Sequence, residues 1–282
     1  MRMFLWLIAL MSMLAACASV VPDQRPLLNR EVVEVVRTRG DQTQSFAFTP
    51  MEKATAHLIL MAGGRGTPEI SSRGVDLGVR MVWGKHHFLI RERHQLAQHG
   101  FNIALLDGPS DHATDLRRGY RNSAEAVADV QRVIEALKAK ADLPVWLVGM
   151  SRGTEMAAYV GKALDHRIAG VVLISSITEG DYQGKSVLEA LDYDPIQQPV
   201  LVVHHLQDGC LKSQPEAIKP LVEILSHRGH SEVQWYDGGK ADLDPPCEGR
   251  SKHGFFGIEE SVIGGIGRFI RLNSSAAATS AP

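Results

Sequence analysis

Apolar residues fall into two rhythms along this chain. Short runs in which nearly every side chain is apolar, at residues 56–62, 102–106, 145–148, 170–174 and 199–203, stop at glycine or at polar and charged groups. Unbroken runs of that length predict strands buried on both faces. Elsewhere the spacing lengthens. Ala126, Val127, Val130, Val133, Ile134 and Leu137 recur at helical intervals behind Ser123, which predicts an amphipathic helix with a serine cap. Similar patterns predict helices over 87–98 (closed by Gly100), 154–164, 215–227 and 257–272. Residues 31–37 and 44–48 predict a hairpin turning at Gly40 and Asp41, residues 232–236 a further strand, and residues 67–84 no regular element.

Apolar strands alternating with helices imply an α/β fold, a mainly parallel sheet with helices on both faces. No internal repeat and no linker divides residues 31–272, so one domain is expected there. The Ser/Ala-rich end, residues 273–282, is expected to be a disordered tail.

The first residues follow a different logic. Met1 and Arg2 supply positive charge, residues 3–14 are apolar except for Ser12, and Leu14-Ala-Ala-Cys17 follows. The apolar stretch is too short to favour a membrane span. Its end resembles a bacterial lipobox, which implies a signal peptide over 1–16 and a lipid on Cys17. The other reading is an ordinary secretory peptide cut near Ala16 or Ser19. Ala18 after the cysteine is similar to the pattern that sorts lipoproteins to the outer membrane, facing the periplasm. Residues 17–30, with Pro22 and Pro26, then read as a tether.

Composition changes this picture little. The chain has 282 residues, 44% hydrophobic and 22% charged, with a formal net charge of −2, which gives no argument for a nucleic-acid partner. The basic groups at Arg91, Arg93, Arg117 and Arg118 read as solvated charges. Cys210 and Cys247 are an even pair in an oxidising compartment, which favours a disulfide. Neither belongs to a Cys-x-x-Cys pair, so zinc is not implied.

The chemistry-bearing motif is Gly149-Met-Ser151-Arg-Gly153, set between a predicted strand and a predicted helix. Glycines on either side let a serine occupy a tight strand-to-helix turn with its hydroxyl exposed.

At this motif the order of parts resembles the α/β-hydrolase fold, over nearly all of residues 31–272. That family arranges nucleophile, acid and histidine in this chain order. The resemblance implies Ser151 as nucleophile, Asp208 after the strand at 199–203 as acid, and His253 after the last strand as base. Serine needs a base to take its proton, and the carboxylate orients that base. Asp237, Asp242 and Asp244 compete for the acid's place; His204, His205, His227 and His230 are weaker rivals for the base. The oxyanion donors implied are the backbone N–H groups of Arg152 and Gly64, with Gly63 as the alternative to Gly64; Ala62 stands where the family has histidine. Arg65 and Arg152 read either as solvated charges or as attractors of an anionic substrate group. A Cys210–Cys247 bridge would tie the Asp208 loop to the His253 loop.

These parts imply a serine hydrolase that forms an acyl-enzyme, first of all a carboxylesterase, with no cofactor and no metal. Residues 175–198 are polar and suit a small lid at most, which argues against a long-chain lipase. A prolyl-type serine peptidase, and a non-catalytic binding lipoprotein that kept the fold, are the alternatives. Dehalogenase-like chemistry is disfavoured, because position 151 holds serine and not aspartate.

Overall fold

The computed structural model describes residues 30–74, 78–116, 119–181, 184–194, 196–226 and 230–279. The expected signal peptide, Cys17 and nearly all of the tether lie outside the described residues, as do Arg117, Arg118 and His227.

Eight strands form one sheet: β1 (Val32–Arg37), β2 (Thr43–Thr49), β3 (Ala56–Met61), β6 (Phe101–Pro109), β7 (Val145–Met150), β8 (Gly170–Ile174), β9 (Val200–His205) and β10 (Ser231–Tyr236). Their order across the sheet is β1-β2-β6-β3-β7-β8-β9-β10. The β1–β2 hairpin runs antiparallel, β2 pairs antiparallel with β6, and every other pairing is parallel. The helices are α1 (Phe88–Gln98), α2 (Ala124–Lys140), α3 (Gly153–Ala163), the short α4 (Val187–Ala190), α5 (Lys219–Ser226) and α6 (Glu259–Thr279).

The apolar runs explain why both faces are covered. Successive side chains of a strand point to opposite faces, so a run of apolar residues feeds two cores. Ile59 and Met61, Leu147, Val171 and Leu173 pack in one core with residues of α2, α3 and α5. Leu58 and Leu60, Trp146 and Val148, Val172 and Ile174 pack in the other with residues of α1 and α6. Ser123 caps α2 as the sequence predicts, its side chain accepting from the Ala126 N–H.

Three expectations need correction. Residues 67–84 contain a two-stranded antiparallel ribbon, β4 (Ile70–Ser72) and β5 (Val79–Met81), too short to show a period. The last helix does not stop at Leu272: α6 continues to Thr279. Buried Trp146 holds it, donating its indole N–H to Ser274 Oγ at 2.9 Å. Arg91 and Arg93 are not solvated either. Arg91 donates to the carbonyls of Gly249 (2.9 Å) and Gly254 (2.8 Å) and to Glu259 Oε1 (2.7 Å).

Arg93 clamps the start of β1 to α1. Its guanidinium grips both oxygens of buried Glu31, at 2.6 and 2.8 Å, while Thr49 Oγ1 donates to Oε1 at 3.2 Å. Burial alone would raise the Glu31 pKa; hydrogen bonds and charge from Arg93 and His94 outweigh it and hold the value at about 2, against an ordinary 4.5. A carboxylate with a depressed folded pKa stabilises the fold above its unfolded pKa and loses that contribution as pH falls through the folded one. Glu31→Gln is expected to remove about 3 kcal/mol of stability at neutral pH, and less as the pH is lowered through the acid range. Urea unfolding as a function of pH checks this.

Candidate active site

Ser151 sits where β7 hands over to α3, with φ at +53°, a backbone region costly for any residue but glycine. Its neighbours explain how the turn closes. A Cβ on Gly149 would lie 2.4 Å from the Gly153 carbonyl oxygen, and a Cβ on Gly153 would lie 2.0 Å from that of Met61. Only glycine lets α3 start this close to β3 and β7. The turn is pinned by two backbone bonds: Ser151 N–H to the Ile174 carbonyl, and Thr154 N–H to the Ser151 carbonyl, both 2.9 Å.

Asp208 and His253 meet beyond the ends of β9 and β10. His253 Nδ1 donates to Asp208 Oδ2 at 2.9 Å. Ser213 Oγ donates to the same oxygen at 2.8 Å and lies 2.9 Å from Nδ1. Asp208 Oδ1 accepts from the Cys210 N–H at 2.9 Å. Burial opposes charge on Asp208, but the charge and hydrogen bond of His253, with the Cys210 amide, prevail and lower its pKa. With Nδ1 committed to the carboxylate, Nε2 is the imidazole nitrogen free for chemistry. That atom is buried and has no hydrogen-bond partner, and no bond joins it to Ser151 Oγ. Such contacts commonly tighten only when substrate arrives.

The rival carboxylates are engaged elsewhere. Asp244 pairs with Arg250 at 2.7 Å, Asp242 accepts from the Lys252 N–H, and Asp237 from that of Gly238. His204 is buried against the Ser213 carbonyl and His205 bonds that of Gly238. His230 is exposed.

Residues 63–66, after β3, pass directly beside the serine. Gly63 N–H donates to His87 Nε2 at 2.9 Å, the Gly63 carbonyl accepts from Gly66 N–H at 2.9 Å, and the Gly64 carbonyl accepts from Arg121 Nη2 at 2.7 Å. A trans peptide sets the Gly64 N–H opposite to the Gly63 carbonyl, away from that turn. Gly64, and not Gly63, lines the cavity that Ser151, Arg152 and His253 share. The cavity measures about 440 Å³, and its wall also includes Trp83, Met150, Ile177 and the sulfur pair Cys210 and Cys247.

No protein-family model matches the sequence, and no curated protein matches it. Solved structures do. A Pyrococcus furiosus esterase superposes with a TM-score of 0.63 at 14% identity, over 90% of this chain and 96% of that one. An α/β serine hydrolase without lid from Xanthomonas campestris gives 0.55 at 13%, over 90% and 97%. An α/β serine hydrolase homologue from Coxiella burnetii gives 0.54 at 16%, over 89% and 97%. The chain has the α/β-hydrolase fold.

Within that fold the carboxyl ends of β3, β7 and β9 each deliver one part of the site, where open parallel sheets place their ligands. Three supporting residues carry no sequence signal: Ser213 on the acid, Arg121 and His87 on the glycine loop. In the sequence His87 reads only as the start of a helix. Burial first, then the charges of His253 and Arg91, push its pKa down to about 3, so it stays neutral and can accept the Gly63 N–H. Arg65 is occupied, paired with Glu69 and stacked 5.5 Å over Trp83. Among the described residues no group of three or more His, Cys, Asp or Glu side chains is placed to hold a metal ion.

Cys210 and Cys247 are bonded to each other, as the sequence favours, across a separation of 37 residues. The bridge joins the loop that starts at Asp208 to the loop that ends at His253. Closing a loop of that length is worth about 4 kcal/mol on the chain-entropy model. Replacing both cysteines by alanine is expected to lower unfolding free energy by roughly that amount, measured by urea unfolding without reductant.

Proposed function

We propose that this protein is a serine hydrolase that cleaves carboxylic esters. The observation that carries the reading is the hydrogen bond from His253 to Asp208 on the wall of the cavity into which the turn at φ +53° presents Ser151. In this reading Ser151 Oγ attacks the ester carbonyl carbon while His253 Nε2 takes its proton. The tetrahedral oxyanion is held by the N–H groups of Gly64 and Arg152. Collapse breaks the C–O bond, and His253 returns the proton to the leaving alcohol. Water, deprotonated by the same nitrogen, then attacks the acyl-enzyme and releases the acid and Ser151. Asp208 holds the imidazole in the tautomer this requires and stabilises its protonated form.

A cavity of about 440 Å³ suits short or medium acyl groups. Residues 175–198 support the same preference: their described part carries one single-turn helix, α4, and no cap domain among the described residues. The signal-like residues 1–16 and Cys17 place this chemistry, in our reading, outside the cytoplasm on a lipid anchor, where a disulfide persists.

Three measurements test these readings. A fluorophosphonate probe is expected to form an adduct on Ser151, read by peptide mass spectrometry and lost in His253→Ala. Ser151→Ala is expected to lower kcat on 4-nitrophenyl butyrate by about 10⁴-fold or more. An unlabelled, folded protein would leave the fold serving binding alone. For the anchor, a fatty-acid analogue fed to expressing cells is expected to label the full chain and not Cys17→Ser.

A further inference from the structure

The β4–β5 ribbon, which no sequence pattern foreshadows, delivers one side chain to the cavity. Just past β5 the Val82 and Trp83 N–H groups both donate to the Pro68 carbonyl, at 2.9 and 3.1 Å, which returns the chain to residues 64 and 65. There the benzo edge of the Trp83 indole lies over Gly64. A Cβ on residue 64 would stand 2.9 Å from the ring atoms Cζ2 and Cη2. The Arg65 guanidinium, itself paired with Glu69, covers a face of the ring at 5.5 Å from its centroid. The His87 ring lies 6.0 Å away, tilted by 47°. An indole packed on these sides is a fixed wall, not a side chain free to swing aside.

Among the apolar groups of the cavity wall, Trp83 has the broadest surface to offer. Met150, Ile177 and Cys210 are only 1–2% exposed, whereas Trp83 keeps part of its surface open. Strand order then says which part of an ester would meet it. β3 and β8 flank β7, and β9 lies beyond β8. Gly64, with Trp83 against it, follows β3 on one side of Ser151; Asp208, which holds His253, follows β9 on the other. In the proposed reaction the leaving oxygen takes its proton from His253, so the alcohol departs on that side. With the carbonyl oxygen at the Gly64 N–H, the acyl chain is left the β3 side, where the indole stands.

We propose that Trp83 sets the acyl-chain limit of this site, so that it selects esters of short acids. Chains that fit between Ser151 and the indole are accepted, and longer ones are stopped by the ring. The proposal rests on the esterase reading above and names the residue behind the short-chain preference.

Two series of esters test it on the whole protein. The acyl series is 4-nitrophenyl acetate, butyrate, hexanoate and octanoate; the alcohol series is ethyl, butyl and octyl butyrate. From butyrate to octanoate the unaltered protein is expected to lose about tenfold or more in kcat/KM. Trp83→Ala is expected to raise the octanoate-to-butyrate ratio by about tenfold or more, and Trp83→Phe by less. The octyl-to-ethyl ratio of the alcohol series is expected to move far less. Each ratio is taken within one preparation, so a general loss of activity cancels. Trp83→Phe keeps the test open where Trp83→Ala fails to fold. An acyl profile unchanged by substitution overturns the proposal and leaves the esterase reading standing. So does a shift confined to the alcohol series or equal in both, and so does an unaltered protein that takes octanoate as well as butyrate. No turnover of any ester, with no fluorophosphonate adduct, overturns both readings.

Discussion

The site depends on how closely one helix can start against two strands. The Met61 carbonyl of β3 lies 2.0 Å from where any Cβ on residue 153 would stand, and the Gly153 carbonyl is nearly as close to residue 149. With side chains at either position, α3 would shift outward and relax the turn. Ser151 would then lose its positive φ, and the residue 63–66 loop its place beside the serine. Tight packing of backbone on backbone thus sets where the hydroxyl points, and every other group in the site is arranged around that point.

Much of this was legible in local sequence, because its causes are local. The strand runs at 56–62, 145–148 and 170–174, the Ser123 cap and the glycine pair around Ser151 each act within a few residues. The chain order of Ser151, Asp208 and His253 was legible by resemblance, and the geometry brings Ser151 and His253 to one cavity, with buried Asp208 hydrogen-bonded to His253. What stayed hidden is long-range. Arg121 reaches the Gly64 carbonyl, Arg91 reaches Gly249 and Gly254, and Trp146 reaches Ser274, across gaps no periodicity spans. Ser213 sits only five residues after Asp208, yet a serine in a loop gives no hint that it will share a carboxylate with a histidine. The length of the last helix was missed for a related reason: no periodicity marks its extension past Leu272, and a buried indole supplies the partner at Ser274.

Polar groups buried around the site hold it in proportion to how fully they are satisfied. Asp208 is met on both oxygens, the backbone of residues 63 and 64 is held by His87, Gly66 and Arg121, and Ser175 Oγ donates to the His253 carbonyl at 2.8 Å. Such a shell fixes the side chains of Asp208 and His253 and the loop at residues 63–66 in one arrangement. Buried polar atoms without a partner are also found here, among them His253 Nε2, Arg152 Nη1 and His87 Nδ1, all of residues on the cavity wall.

The strand directions have a geometric consequence for how the molecule can be held. β1 runs the same way as the parallel strands, because it is antiparallel to β2 and β2 is antiparallel to β6. Arg30, just before β1, therefore emerges at the edge of the sheet where the parallel strands begin. Ser151, Asp208 and His253 stand at the edge where they end, roughly the length of a six-residue strand away, about 20 Å. Ser274, held by Trp146 near the start of β7, is on the same side as Arg30. Both ends of the domain thus leave from the rim opposite the cavity. Neither described end of the chain therefore stands in the mouth of the site.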